Sequence, residues 1–118
     1  MRAKDALGRY GEDLAVAHLQ AVGMQVLERN WRCRMGEIDV VAVDGDCLVV
    51  CEVKTRRSVR AGGPLEAVTR AKLGRLRQLT ALWLAGQNRH FEQIRIDVVG
   101  VFQPPHTTAV IDHLKGVF

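Results

Sequence analysis

The sequence predicts an α/β domain of order α-β-β-β-α-β, with a central mixed sheet flanked by helices. Three observations favour this class: a helical period near the N-terminus, a hairpin of two β-branched runs, and a second helix followed by another apolar run. A helix between two strands is typical of the crossover that joins parallel strands. At 118 residues, of which 47% are hydrophobic, we expect a single domain over residues 1–118.

The first helix is expected from about Ala6 to Val22, and Gly23 ends it. Its apolar side is expected to contain Leu7, Tyr10, Leu14, Ala17 and Ala21. Glu12 lies at the edge of that side, so its carboxylate can reach a site on the sheet below. The alternative is a boundary glutamate that extends to water or pairs with a nearby arginine.

The remaining elements are expected in order: strands over Met24–Trp31, Glu37–Val43 and Cys47–Arg56, a helix from its N-cap at Thr69 to near Gly86, a strand over Gln93–Phe102, and a short edge strand within Thr107–Leu114. The buried row of the second helix is expected at Leu76, Leu79 and Trp83. Lys72 lies on the same row one turn earlier, so it is expected to face the sheet; the alternative is a lysine that extends to water at the start of the helix. Arg70, Arg75 and Arg77 are expected to point away.

The hairpin carries charges where apolar residues are expected. Strands on either side of the turn signal Asp44-Gly45-Asp46 set Asp39 opposite position 50 or position 52, and these two positions have the same parity. Asp39, Glu52 and Lys54 therefore share one face of the sheet. Such groups are costly to bury unless they are paired or bound to a metal. The alternative is a buried ion pair of Lys54 with one of the two carboxylates, which would stabilise the fold only weakly.

Hard carboxylate oxygens on adjacent strands suit Mg²⁺, or Mn²⁺ in its place. Lys54 follows Glu52 by two residues on the same face, where it could orient or help to deprotonate an attacking water and offset charge in a transition state. Glu12 could hold a second metal or bind the first through water. Asp97, an acid in another apolar strand, is expected to be structural and satisfied by Arg95, a loop or a helix N-terminus.

The net charge of +4 is unevenly distributed. Residues 54–89 contain nine basic residues against one acid, Glu66, so this segment carries +8 and the rest of the chain −4. A basic segment that directly follows carboxylates suits a polyanion whose phosphates must reach a metal. The nucleic-acid contacts expected here are Arg56, Arg57, Arg60, Arg70, Lys72 and Arg75. The alternative is a solvated helix face.

Several other classes of protein are disfavoured. The sequence has no apolar run of membrane-spanning length and no signal-peptide pattern, so we expect a cytoplasmic protein with no membrane partner. The three cysteines Cys33, Cys47 and Cys51 form no Cys-x-x-Cys pair, which favours free thiols. The sequence also has no P-loop, dinucleotide or serine-hydrolase motif, and its four histidines show no metal-ligand spacing.

Several blocks of the sequence resemble known proteins. Asp39 with Glu52-Val53-Lys54 resembles the PD-(D/E)xK signature of restriction-endonuclease-like nucleases, with Ile38 in place of the proline. A wider set resembles the YraN-type family of bacterial proteins: Gly8-x-x-Gly11-Glu12, Asn30-Trp31-Arg32, Gly36-Glu37-Ile38-Asp39, Glu52-Val53-Lys54-Thr55-Arg56, Gly63-Pro64, Lys72 and Arg95-Ile96-Asp97-Val98. The match runs from about residue 8 to residue 100.

The resemblance implies a restriction-endonuclease-like fold, related to that of archaeal Holliday-junction resolvases, and endonuclease activity. In those relatives a helix glutamate, a strand aspartate and the Glu-x-Lys pair bind the metal. The resemblance therefore implies metal binding by Glu12, Asp39 and Glu52. It also implies that Lys54 has the role of the lysine in the Glu-x-Lys pair.

The favoured function is Mg²⁺-dependent hydrolysis of DNA phosphodiesters, with branched or structured DNA among the candidate substrates. Low sequence specificity is expected because no recognition helix or set of stacking aromatic residues stands out. A resolvase-like enzyme that cuts two strands would need to be a homodimer. One alternative is a nucleic-acid-binding or adaptor module with little or no turnover. Another is a structural protein with buried ion pairs, which would have no metal affinity.

Overall fold

The structure is a computed structural model that describes residues 6–57 and 68–117. Its elements are α1 (Ala6–Ala21), β1 (Gln25–Cys33), β2 (Gly36–Asp44), β3 (Cys47–Arg56), α2 (Arg70–Ala85), β4 (Gln93–Phe102) and β5 (Val110–Leu114). This order confirms the predicted α-β-β-β-α-β core, to which β5 adds an edge strand. Neither helix of the described ranges is long and apolar enough to cross a membrane.

The five strands form one mixed sheet in the order β1-β2-β3-β4-β5. Neighbouring strands are antiparallel except β3 and β4, which are parallel because α2 connects them as a crossover. In the hairpin, Asp44 pairs with Cys47, so Gly45 and Asp46 form a two-residue loop. Gly45 has a φ of +62°, a left-handed conformation that glycine adopts without strain.

The two helices cover opposite faces of the sheet. Val49 lies in an apolar cluster with Leu19 of α1, whereas its neighbour Leu48 lies in a second cluster with Leu79 and Trp83 of α2. Because successive side chains of a strand point to opposite faces, the helices lie on opposite sides of β3. Full burial of one aliphatic side chain stabilises the folded state by about 1.5–3 kcal/mol, so both layers stabilise the sheet. The predicted buried row of α2 is confirmed.

The buried face of α1 differs from the prediction. The five residues expected on it are exposed or half-buried, and Tyr10 is 46% exposed. The buried residues are instead Gly11, Glu12, Ala15, Val16 and Leu19. The physical reason is close packing, because Gly11 lies against Thr55 of β3 with no room between them for a side chain. Glu12 is therefore within the buried face of α1 and not at its edge.

A partly buried hydrogen-bond network joins α1, β4 and β5. Asp97 is fully buried and accepts hydrogen bonds from Arg95 Nε at 2.9 Å and from the backbone N–H of Gly116 at 3.0 Å, and His113 Nε2 lies 2.8 Å from it. Burial alone would raise the pKa of Asp97, but these partners lower it overall. His113 Nδ1 in turn lies 3.1 Å from Nε2 of His18 on α1. Asp97 thus has the predicted structural partners, and the sequence does not predict the histidine contact.

The space around two helical glycines predicts opposite effects of replacing them with alanine. Gly11→Ala should lower the free energy of unfolding by about 1–3 kcal/mol, because its Cβ would lie 2.6 Å from Cγ2 and 2.8 Å from Cβ of Thr55. Gly74→Ala in α2 should raise it by about 0.5–1 kcal/mol, since a Cβ there meets nothing within 4 Å. Urea unfolding of both variants measures the difference. Stabilisation by Gly11→Ala would contradict the close approach.

Candidate active-site cleft

The sheet forks between its second and third strands. The β2–β3 ladder ends at the pair Val40–Cys51, while β2 remains paired with β1 and β3 with β4 beyond that point. Asp39 and Glu52 come next on either side, so the register places them opposite each other. Oδ2 of Asp39 accepts a 2.9 Å hydrogen bond from the backbone N–H of Val53. The Asp39 side chain therefore bridges the fork.

A cleft of about 1020 Å³ opens at the fork. Its described lining consists of Leu7 and Gly8 of α1, Arg32 and Cys33 of β1, Gly36, Glu37 and Asp39 of β2, Glu52, Val53, Lys54 and Thr55 of β3, the α2 N-cap Thr69, and Ala71, Lys72, Arg75, Leu76 and Leu79 of α2. The structure thus brings Asp39, Glu52 and Lys54 together in the lining of one cleft. Two of these lining residues form an ion pair, with Nε of Arg32 3.3 Å from Oε2 of Glu37.

The two carboxylates lie where water is largely excluded. Asp39 is 6% exposed, and the side chain of Glu52 is 15% exposed. Burial, and then the neighbouring Asp39 carboxylate, raise the pKa of Glu52 to about 8, while Lys72 acts in the opposite direction. Carboxylates this close do not both ionise easily unless a cation compensates them. Lys54 is exposed and lines the same cleft.

Helix α2 contributes two cations to the cleft. Nζ of Lys72 lies 3.1 Å from Oε2 of Glu52. The backbone N–H of Lys72 donates to Oγ1 of Thr69 at 3.1 Å, which confirms Thr69 as the N-cap. Arg75 also lines the cleft, so the prediction that it points away from the sheet is wrong. The Arg75 stem lies beside Gly36 of β2, since a Cβ built on Gly36 would be 3.7 Å from Cδ of Arg75, an ordinary van der Waals distance.

The other predicted nucleic-acid contacts that fall within the described residues lie outside the lining of the cleft. Arg56 is half-buried at the end of β3, and Arg57, which follows it, is exposed. Arg70 is exposed at the first residue of α2. Arg60 and the Gly63-Pro64 loop fall outside the described residues.

Glu12 is buried beneath α1 and does not belong to the described lining of the cleft. It is 1% exposed, and its Oε1 accepts hydrogen bonds from Nε and Nη2 of Arg29 at 3.1 and 2.9 Å and from Nδ2 of Asn30 at 2.8 Å. Pairing with an arginine is the alternative that the sequence leaves open. The role of Glu12 as a metal ligand stays a prediction.

The sequence does not predict the contacts of Arg29 and Asn30. In the β1–β2 register, Asn30 lies between the pairs Arg29–Val40 and Trp31–Ile38, hence opposite Asp39. Asn30 has a φ of +54°, a left-handed conformation that asparagine tolerates better than most residues. Its Oδ1 is buried without a hydrogen-bond partner in the described part of the chain. The sequence signal for this position is an asparagine within a predicted strand, since asparagine tolerates the left-handed conformation.

The donor set in the cleft fits a hard divalent cation. Across residues 6–57 and 68–117, no group of three or more histidine, cysteine, aspartate or glutamate side chains converges so that it could hold a metal. The cleft presents a pair of carboxylates, Asp39 and Glu52. Mg²⁺ is commonly bound by one or two carboxylates and completes its shell with water and substrate phosphate. The pair therefore fits Mg²⁺ or Mn²⁺ better than a site of the structural zinc type.

The fold and the cleft define a mixed α/β domain with an acidic pair and lysines at a fork in its sheet. Its sequence matches, over residues 11–101, the model of a family described as "Uncharacterised protein family UPF0102". The chain belongs to this family, which is the YraN type, and the resemblance to the YraN-type family is thereby confirmed.

Relatives of high identity cover nearly the whole chain. A UPF0102 protein of Kineococcus radiotolerans is 61% identical, over 99% of this chain and 97% of the relative. One from a Nocardioides species is 54% identical, over 97% and 92%. One from Frankia casuarinae is 51% identical over the full length of both chains. The family extends across the whole of the described fold, the cleft included.

The crowded carboxylates predict a pH dependence of stability. Because the pKa of Glu52 is raised from 4.5 to about 8, the folded state keeps a proton on Glu52 between these two pH values, whereas the unfolded chain releases it. The free energy of unfolding should therefore fall as pH rises from about 4.5 to about 8. Glu52→Gln should remove this decline, whereas Glu92→Gln at an exposed site should keep it. Urea unfolding across this range gives the comparison, and parallel curves for wild type and Glu52→Gln would refute the crowding.

Proposed function

We propose that this protein is a metal-dependent endonuclease that hydrolyses DNA phosphodiesters in the cleft, on a restriction-endonuclease-like fold. The observation that carries the proposal is the juxtaposition of Asp39 and Glu52 at the fork, with Lys54 and Lys72 in the same cleft. Hydrolysis of a phosphodiester needs a cation for the phosphate, a positioned water and charge stabilisation, and these residue types supply such groups.

Asp39 and Glu52 would hold Mg²⁺, or Mn²⁺ in its place. A bound divalent cation supplies Lewis-acid polarisation of the phosphate and lowers the pKa of water. Asp39 is held for this task by the Val53 backbone, so its carboxylate is positioned before any ligand arrives. Glu12 is the third proposed ligand, and it would have to share its carboxylate with Arg29 and Asn30 or act through water.

Lys54 is the proposed general catalyst beside the carboxylates. Its exposed ammonium lines the cleft two residues after Glu52. In this position it would orient an attacking water, help to remove its proton, and stabilise the charge that develops on the phosphorane-like transition state. A lysine suits this role because its compact charge lies on a flexible stem.

The DNA partner is proposed from the cations that surround the acidic pair. Lys72 and Arg75 line the cleft, and Arg57 and Arg70 are exposed nearby in sequence, with Arg56 and Arg60 the remaining proposed contacts. Such side chains would bind phosphates and would not read the edges of the bases, so low sequence specificity follows. Branched or structured DNA is the proposed substrate class. A homodimer would be required for cutting two strands.

A second candidate is a nucleic-acid-binding or adaptor module with little or no turnover. The observation in its favour is that the acids already have partners: Lys72 pairs with Glu52, and Arg29 pairs with Glu12. A protein whose acidic charges are neutralised internally could bind phosphates through its basic side chains without a metal.

Cleavage assays separate the two functions. The wild type with Mg²⁺ or Mn²⁺ should cut at least one of linear, nicked, flapped and four-way-junction DNA. Asp39→Ala and Lys54→Ala should each reduce the rate at least about 100-fold, because they remove a metal ligand and the general catalyst. Asp112→Asn, at an exposed position of β5, should cut like the wild type.

Equal cleavage by the wild type and both cleft variants would indicate a contaminating nuclease and overturn the assignment. Absence of cleavage, with DNA binding that survives Asp39→Ala and weakens steeply with salt, would favour the adaptor function.

A further inference from the structure

The ion pair between Lys72 and Glu52 joins two different layers of the fold. Nζ of Lys72 reaches from α2 to within 3.1 Å of Oε2 of Glu52 on β3, and among described residues no other ammonium or guanidinium lies that close to this carboxylate. The Lys72 side chain is 42% exposed, whereas that of Glu52 is 15% exposed. The lysine therefore covers the carboxylate from the open side of the cleft.

The attachment of Lys72 differs from that of a buried structural cation. Its backbone is fixed, because its N–H donates to the N-cap Thr69 in the first turn of α2. Its four-carbon stem is free to rotate, and an ammonium on such a stem forms ion pairs that exchange readily. Lys72 can thus leave Glu52 without any change in the position of the helix.

A divalent cation and Lys72 compete for the same oxygen atoms. A metal shared by Asp39 and Glu52 would lie close to the ammonium, and like charges at such a separation repel each other. Asp39 is held by the Val53 backbone, so Glu52 and Lys72 are the members of the site that can rearrange. Once displaced, the ammonium still lies in a cleft lined by further cations, where a phosphate would be bound.

We propose that Lys72 is an exchangeable cation: it pairs with Glu52 in the metal-free protein, yields this carboxylate to the divalent ion, and then pairs with a phosphate of the DNA. The proposal rests on the proposed function and adds to it an order of events, in which metal binding releases the lysine that binds substrate. Lys72 is accordingly a positioning residue before metal binding and a substrate contact after it.

Mn²⁺ binding in the absence of DNA tests the exchange directly. Electron paramagnetic resonance titration at about pH 8.5, above the pKa of about 8 at which Glu52 loses its proton, should show that Lys72→Met binds Mn²⁺ about 5-fold or more tightly than the wild type, because the competing ammonium is gone. Lys72→Arg keeps a competing cation and should bind no more tightly than the wild type. Arg75→Met is the matched control, since it removes one charge from the same helix and the same cleft but not from Glu52, and it should change the affinity by less than about 2-fold.

A second measurement follows the released lysine. With Ca²⁺ present to prevent turnover, Lys72→Met should bind four-way-junction DNA more weakly than the wild type and reduce the salt slope of binding by about 1. The opposite signs of the two effects, tighter metal and weaker DNA, distinguish exchange from a merely structural role, which would weaken both.

The outcomes separate this inference from the proposed function. Saturable Mn²⁺ binding that Lys72→Met leaves unchanged or weakens would overturn the exchange while the nuclease proposal stands on its cleavage assay. Absence of saturable Mn²⁺ binding in the wild type and in every variant would overturn both. An equal increase in Mn²⁺ affinity in Lys72→Met and Arg75→Met would show that the effect comes from the loss of any positive charge near the cleft, and it would also overturn the exchange.

Discussion

The hydrogen bond from the Val53 backbone to Asp39 is the interaction on which the site depends. It forms where the β2–β3 ladder ends, so the carboxylate takes the place that a strand partner would otherwise occupy. A hydrogen bond to a charged group contributes about 1.5–3 kcal/mol. Because a backbone donor fixes it, the Asp39 carboxylate is held at the fork beside Glu52.

Strand β3 connects this site to the rest of the fold. Its residues 52–55 supply Glu52 and Lys54 to the cleft, and Thr55 carries the close contact with Gly11 of α1. The other side of the cleft comes from α2, whose capped first turn presents Lys72. Both helices therefore contact β3 beside the acidic pair, which couples their positions to the geometry of the site.

Local signals predict the elements and the strand charges well, because alternation and turn chemistry are properties of neighbouring residues. The parity argument for Asp39 and Glu52 holds for either loop, and the observed register places the two residues opposite each other. The buried face of α1 was not predictable from apolar residues, since close packing of Gly11 on a distant strand decides it. The direction of Arg75 and the partners of Glu12 depend likewise on how helices and strands meet, which no local pattern specifies.

The most direct measurement is anomalous diffraction from crystals grown with Mn²⁺ near the manganese absorption edge. We expect one anomalous peak at the fork, within about 2.0–2.3 Å of oxygen atoms from both Asp39 and Glu52, with Lys72 withdrawn from Glu52. A map with no manganese at the fork at saturating concentration, and with the Lys72–Glu52 ion pair intact, would contradict the claim that this carboxylate pair is a metal centre.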